Sequence, residues 1–164
     1  LLDVYEKNAM DIVSRRGIEK PQTLRSYANS WSNVDLGKKI AEQMIDSGAD
    51  TLFIYANEVG LGCIQAARER QVRVIGFSDN QNDLEPGTVA ASIYFDFGTL
   101  YRWTVEQYME GKLQGNKVHE IGIREGIFVP VFPDGTPESL RDAVDQGTSD
   151  FLQGKVELTQ WFAD

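Results

Sequence analysis

The sequence predicts an α/β protein with a parallel, doubly wound sheet, and three observations support this class. A continuous apolar run at residues 51–55 turns through a polar loop into an amphipathic helix, and a second apolar run follows at 72–77. Strands without alternation are typical of parallel sheets, because helices cover both of their faces. The same strand-helix order recurs along the chain, and such units connect with a right-handed crossover.

The composition argues against several functional classes. The chain has 164 residues and a formal net charge of -9. An acidic surface repels phosphate groups, so we expect no direct binding of nucleic acid. No apolar stretch reaches the roughly 18 residues that a membrane-spanning helix needs. One Cys and one His are too few for a disulfide within the chain or a Cys/His metal site, and we expect no metal and no cofactor.

The first part of the chain is predicted to contain a helix, a strand and a second helix. Apolar residues recur at helical spacing in Leu1–Arg16. A short strand is predicted at Thr23–Ala28, before a polar loop. Ser32 with Asp35 fits a capping box for the next helix, which ends at Gly48.

The middle of the chain alternates strands with helices. The predicted elements are a strand at Thr51–Tyr55, a helix at Gly60–Arg70, strands at Val72–Phe77 and Val89–Ile93, and a helix at Phe97–Glu110. The polar, turn-rich loop 82–87 separates the second and third of these strands. This order predicts a β-α-β unit at the centre of the fold.

The last part of the chain is predicted to add a hairpin and a closing helix. Two strands, Lys117–Ile123 and Ile127–Phe132, are predicted to pair as a β-hairpin. Thr136 is expected to cap a helix that has Pro137 at its first position, where proline is favoured. A final strand is predicted at Lys155–Phe162.

Polar side chains follow two of the central strands. Asn57 and Glu58 come after the first, and Ser78, Asp79 and Asn80 come after the second. In open α/β sheets ligands bind just beyond the carboxyl ends of the strands. These groups could therefore hydrogen-bond the hydroxyls or amines of a ligand. The alternative is local structure, with Asn57 as a helix cap and Ser78, Asp79 and Asn80 as turn or cap residues.

Aromatic residues beside polar loops form a second set of candidates. Trp31, Tyr94 and Phe95 could stack on a base or a sugar, or they could simply pack between two lobes. His119 has no neighbours that suggest a catalytic triad, and Cys63 is predicted to be a buried, small apolar residue. Because the sequence shows neither an activated nucleophile nor a cofactor fingerprint, we expect a binding protein rather than an enzyme.

Several short motifs, in order and at consistent spacing, resemble the C-terminal part of the basic membrane protein family. They are Gly37–Ala41, Gly48–Asp50, Gly60–Gly62, Val74–Gly76 and Gly122–Gly126. The family consists of substrate-binding lipoproteins with the type I periplasmic-binding-protein fold, and it includes purine-nucleoside receptors. The resemblance therefore implies a lobe of this fold and a non-catalytic binding function.

Three positions depart from the family pattern. Ser78 stands where the nucleoside receptors usually have Asp, Phe95 where they have Lys, and Asn57–Gly60 where they have a double-glycine loop. These departures resemble a divergent branch, the Med-like positive regulators of a competence transcription factor. The resemblance thus implies a membrane-attached regulator that acts indirectly on competence genes. The alternative is a purine-nucleoside or other small-molecule receptor of an ABC transporter, and a third reading is an interaction module whose cleft is filled by aromatic side chains.

The resemblance also implies a particular domain organisation. Residues 1–164 would be the C-terminal portion of a two-lobed protein whose N-terminal half is absent. Residues of about 20–95 and 136–152 would form one lobe, and 96–132 and 155–164 would cross to the other. The protein would be lipid-anchored on the extracytoplasmic side of the cell membrane, with its anchor outside this chain. Its expected partners are a small polar ligand such as a nucleoside, a protein partner, or a second copy bound through an exposed inter-lobe face.

Overall fold

The computed structural model describes residues 2–17 and 22–156. Its elements, in chain order, are α1 (Leu2–Arg15), α2 (Val34–Asp46), β1 (Thr51–Phe53), α3 (Val59–Arg70), β2 (Arg73–Ser78), β3 (Val89–Phe95), α4 (Phe97–Met109), a 3-10 turn (Ile123–Glu125), β4 (Phe128–Val131) and α5 (Glu138–Leu152). The described residues divide into two compact units, one formed by residues 2–17, 22–27 and 145–156 and the other by residues 28–144. All four strands lie in the second unit, together with α2, α3 and α4.

The four strands form one mixed sheet in the order β1-β2-β3-β4. The pairs β1-β2 and β2-β3 are parallel, whereas β3 and β4 are antiparallel. The unit β1-α3-β2 is the β-α-β unit that the sequence predicts, and the α/β class is confirmed. The predicted helices in the first and middle parts of the chain are also present, within one or two residues of their expected bounds.

The core lies on the side of the sheet that α2 and α3 cover. Leu52 and Val74 from the strands meet Ile64 of α3 and Ala41 of α2, and each of these side chains is buried. The residues that alternate with them on the strands, such as Ile75, lie on the opposite side of the sheet and are only half-buried. The two sides of the sheet therefore differ in burial.

Helices α2 and α3 approach each other closely at two glycines. A Cβ atom built on Gly37 would lie 2.0 Å from the carbonyl oxygen of Val59, and one built on Gly62 would lie 2.0 Å from that of Val34. Both obstacles are backbone atoms, which a side-chain rotation cannot remove. Glycine is thus required at both positions by the packing of the helices.

The predicted hairpin at residues 117–132 is wrong. Only Phe128–Val131 forms a strand in this region, and it pairs with β3 instead, with Phe128 opposite Phe95. The stretch before it is a 3-10 turn, which Glu125 closes by accepting a hydrogen bond of 2.7 Å from the Gly122 amide. The antiparallel β4 pairs there because β3 would otherwise be the open edge of the sheet, and an open edge offers unpaired backbone groups.

The predicted strand at Thr23–Ala28 is also wrong. Its residues belong to no strand of the sheet. Instead their side chains bind α1: the Arg25 guanidinium lies 2.8 Å from Asp3 and 2.6 Å from Glu6, and Thr23 donates a hydrogen bond to Glu6. These side-chain contacts hold the segment against α1 without the backbone hydrogen bonds of a strand pair. They also lower the pKa of both carboxyl groups.

Neither Ser32 nor Thr136 caps the helix that the sequence assigns to it. Asn33, not Ser32, caps α2, because its side-chain oxygen accepts from the Leu36 amide. The helix α5 begins at Glu138, and the Thr136 hydroxyl donates to the Pro133 carbonyl instead of capping it. Most of the final predicted strand, Lys155–Phe162, lies outside the described residues.

Candidate ligand-binding site

The carboxyl ends of β1, β2 and β3 lie at one edge of the sheet, because these three strands are parallel. This carboxyl edge brings together the predicted polar and aromatic candidates. Ser78 at the end of β2 is directly opposite Tyr94 of β3 in the strand register. Asn57 and Glu58 follow β1 and lead into α3. As ligand contacts these residues stay predictions.

The loop that carries Trp31 is tied to the same edge. The Trp31 carbonyl accepts a hydrogen bond of 3.4 Å from the Val59 amide at the start of α3. Its indole side chain remains 78% exposed. The loop is therefore placed beside the carboxyl edge, with its aromatic ring still open to solvent.

The side chains of Asn57 and Glu58 do not cap α3. Glu58 occupies the N-cap position with helical backbone angles and without a side-chain hydrogen bond to the helix. Asn57 contributes only its backbone carbonyl, which accepts from the Gly60 amide at 2.8 Å. The alternative role of Asn57 as a side-chain cap is thus not what the structure shows. Both side chains are exposed.

The loop after β2 has local bonds that fix its shape. Ser78 has a φ of 81°, a left-handed conformation that is uncommon outside glycine. Asp79 accepts from the Asn80 amide at 2.7 Å, and the Asn80 side chain accepts from the Asn82 amide at 3.2 Å. Asp79 and Asn80 therefore stabilise the loop, which is the structural role that the sequence leaves open. Each side chain also has further polar atoms that could bind a ligand.

A buried serine of β3 holds this loop in place by two hydrogen bonds. The hydroxyl of Ser92 on β3 accepts from the Gln81 amide at 3.0 Å and donates to the Asn82 side chain at 2.8 Å. Ser92 is 0% exposed and Asn82 is 4% exposed. Gly76, opposite Ser92 in the register, leaves the space into which Gln81 folds. Sequence reasoning missed this support, although a serine within an otherwise apolar strand was the available signal.

A continuous row of aromatic rings also reaches the carboxyl edge, and we call it the aromatic band. Successive ring centroids along it lie between 4.4 and 6.2 Å apart. Its members, in spatial order, are Tyr55, Phe77, Phe128, Phe95, Phe97 and Tyr101. Of these only Phe95 was a sequence candidate, since the others read as ordinary strand or helix residues. Tyr94 has no place in the band, because adjacent residues of a strand point to opposite faces.

Asp96 joins β3 to α4 at this edge. Its two carboxylate oxygens accept from the Thr99 amide at 2.9 Å and from the Thr99 hydroxyl at 2.8 Å. These hydrogen bonds lower the pKa of Asp96, and the charge of Arg102 lowers it further. Asp96 therefore acts as an ionised cap for α4, which sequence reasoning did not identify.

We expect Asp96→Asn to remove part of the acid sensitivity of folding. A carboxyl group whose pKa is lowered by folding stabilises the protein above its unfolded pKa, and it loses this effect as the pH falls through the folded value. Asparagine can still accept from the Thr99 amide, but it has no charge to lose. In urea unfolding between pH 6 and pH 2, the stability difference between wild type and variant should therefore shrink as the pH falls. A constant difference over this range would contradict the assigned role.

Cys63 and His119, the two other residues considered from the sequence, each contact a neighbouring residue of the fold. The Cys63 thiol donates to the Gly37 carbonyl at 3.3 Å, and burial raises its pKa to about 11, so it is protonated at neutral pH. The ring of His119 lies edge-on to Trp103, at 6.1 Å between centroids. Within residues 2–17 and 22–156, no group of three or more His, Cys, Asp or Glu side chains could hold a metal ion. In the same ranges no helix has the length and apolar character needed to cross a bilayer.

Comparison with known proteins gives consistent matches. The profile of the family described as "ABC transporter substrate-binding protein PnrA-like" matches residues 19–156. Basic membrane protein B of Borreliella burgdorferi is 33% identical over 111 residues, which are 65% of this chain and 33% of that protein. The ABC transporter nucleoside-binding protein BmpA of Lactococcus lactis is 26% identical over 149 residues, covering 80% of this chain and 42% of that protein.

Two solved structures share the fold. A solute-binding protein of an ABC transporter system from Aeropyrum pernix K1 superposes with a TM-score of 0.75 at 18% identity, over 94% of this chain and 52% of that one. A transcriptional activator of the comK gene from Bacillus halodurans superposes with a TM-score of 0.70 at 18% identity, over 79% of this chain and 46% of that one. The chain spans between about a third and a half of the length of these four proteins.

Proposed function

Because the chain belongs to the family of PnrA-like substrate-binding proteins of ABC transporters, we propose that it is a non-catalytic receptor that binds a small organic molecule at the carboxyl edge of its sheet. The observation that carries this proposal is the convergence of exposed polar side chains and aromatic rings at that edge. Asn57 and Glu58 are exposed there without capping the helix that follows, and the ordered loop after β2 presents Asp79 and Asn80 beside them.

We propose that this edge forms one wall of a cleft between two lobes. The chain spans between about a third and a half of the length of the proteins that it matches, and we propose that the facing wall comes from another part of a longer protein. In this arrangement the four-stranded sheet with α2 and α3 belongs to one lobe, and the segments that cross to the other lobe stay a prediction. By analogy with basic membrane proteins, such a receptor would be lipid-anchored on the extracytoplasmic side of the membrane.

A second candidate function is the indirect, positive regulation of competence genes by a Med-like protein. It is favoured by the likeness to the comK activator and by Ser78 and Phe95, which replace the Asp and Lys expected in nucleoside receptors. In this case the protein would bind a different ligand or none, and the carboxyl edge would take part in regulation instead. Reporter expression from the comK promoter, with and without the protein, tests this candidate directly; an unchanged reporter would count against it.

The receptor proposal is tested by thermal stabilisation of the full-length protein with a panel of purine and pyrimidine nucleosides. A ligand at 100 times its dissociation constant adds about 2.7 kcal/mol to stability, which gives a clear rise in Tm. We expect a rise with at least one compound, and a smaller rise in Asn57→Ala. The matched control is Glu106→Gln, an exposed residue of α4 away from the carboxyl edge, which should behave as wild type. No rise with any nucleoside would remove this ligand class from the proposal.

A further inference from the structure

The outer face of α4 is apolar although it is open to solvent. Five large side chains of this helix are each between 49% and 79% exposed, and we call them the α4 stripe: Phe97, Tyr101, Val105, Tyr108 and Met109. At about 100° of rotation per residue, they fall within an arc of about 120° on one side of the helix. The other side carries Leu100 and Trp103, which are half-buried. Apolar residues on both sides are typical of a covered helix, which indicates that another surface packs on the α4 stripe.

The composition of the α4 stripe favours a protein as the covering surface. Tyr, Phe and Met are enriched in protein–protein interfaces, where Lys, Glu and Asp are depleted. A lipid surface fits less well, because helices that lie on membranes are rich in Lys and Arg, and α4 has only Arg102. The stripe also continues beyond the helix, since the ring of Phe97 lies 6.1 Å from Tyr101 and 4.4 Å from Phe95 between centroids.

The residues of α4 are arranged almost symmetrically about position 103, as the packing of two identical helices requires. In a two-fold dimer with antiparallel helices, residues at equal distances on either side of that position face each other. The facing pairs are then Phe97 with Met109, Tyr101 with Val105, and Gly98 with Tyr108. In each pair a ring faces a smaller or more flexible residue, so the two stripes can interlock without a collision between rings.

The charged residues beside the α4 stripe are complementary in the same arrangement. Arg102 and Glu106 lie one turn apart on the same flank, and Arg102 of each copy comes within about 3 Å, along the helix axis, of Glu106 of the other. Among residues 2–17 and 22–156, neither takes part in an ion pair. The charge of Arg102 lowers the pKa of Asp96, whose hydrogen bonds go to Thr99. Parallel helices would instead bring like charges together, which disfavours that orientation.

We propose that α4 is a homodimer interface, in which a second copy of the chain packs its own α4 antiparallel on the α4 stripe, with Arg102 and Glu106 paired at the rim. This inference goes beyond the receptor function and does not depend on a ligand. Because α4 has only 13 residues, the interface is at the low end of the usual size range. We therefore expect a dimer that dissociates on dilution, with a Kd in the micromolar range.

Sedimentation velocity of the full-length protein, over a range of concentrations, tests the interface. We expect the wild type to change from monomer to dimer as the concentration rises. Val105→Lys places a charge at the centre of the stripe and should raise the Kd of the dimer by more than about tenfold. Its matched control is Ile12→Lys on α1, because Ile12 is also helical and 51% exposed but lies outside the stripe. The control should dimerise as wild type does.

A charge exchange tests the antiparallel arrangement. Glu106→Arg should weaken the dimer, because two Arg side chains then face each other across the rim. Adding Arg102→Glu to this variant should restore most of the lost affinity, since opposite charges face each other again. Glu106→Gln introduces no like charge, and the rise in Tm that a ligand causes should not depend on it.

Two results would overturn the dimer, and a third would overturn its orientation. A protein that stays monomeric at every concentration would show that another part of a longer protein, or a different protein, covers the α4 stripe. A dimer that Val105→Lys leaves intact would show that the copies associate elsewhere. Equal affinity of Glu106→Arg and wild type would exclude the antiparallel pairing. Circular dichroism of every variant shows that a loss of the dimer is not a loss of fold.

Discussion

Replacing Gly62 by alanine is expected to destabilise the unit of residues 28–144 by about 3 kcal/mol, the upper end of the usual cost of overpacking a core. The added Cβ would lie 2.0 Å from the Val34 carbonyl oxygen and 2.7 Å from the Lys38 amide nitrogen. Both are backbone atoms of α2, so the two helices would have to separate. Alanine favours helices over glycine by about 1 kcal/mol, and the clash outweighs that gain.

A matched control for this change exists in α5. Gly147 is also helical, and no atom lies within 4 Å of a Cβ built there. Gly147→Ala should therefore leave stability unchanged or raise it by up to about 1 kcal/mol. Urea unfolding followed by circular dichroism gives both values. Equal stability of Gly62→Ala and wild type would show that α2 and α3 do not meet at the separation seen here.

Replacing Ser92 by alanine should have the second large effect, on both stability and the loop after β2. The change removes one hydrogen-bond acceptor from the Gln81 amide and one donor from the Asn82 side chain. Leaving buried polar groups unsatisfied costs about 1–3 kcal/mol. Because the same bonds hold the loop that carries Asp79 and Asn80, ligand affinity should fall as well.

Hydrogen exchange distinguishes this local effect from general destabilisation. In Ser92→Ala the Gln81 amide should lose protection by more than the global loss of stability accounts for, while amides of α3 should follow the global value. Thr104→Ala removes an exposed hydroxyl that donates within α4 and should change neither quantity by much. If the Gln81 amide is as protected as in wild type, the loop does not depend on Ser92.

The elements with a strong local pattern were predictable from the sequence. The unit of β1, α3 and β2 has a buried apolar run, a helical period and a second run, all within residues 51–78. The positions of Asn57, Glu58 and Ser78 at strand ends follow from that unit, because parallel strands end at the same edge. The caps were less certain, since Ser32 and Asn33 are adjacent residues of similar capping strength, and only the backbone angles decide between them.

The sequence by itself thus determined the α/β class, the central β-α-β unit and the edge at which the candidate residues meet. Only the tertiary structure decided that β4 pairs with β3, that Ser92 supports a loop ten residues before it, and that six rings form one band. The physical reason is the range of the interactions. Hydrophobic periodicity and capping act within a few residues, whereas strand pairing, buried hydrogen bonds and ring contacts join residues that are distant in the chain.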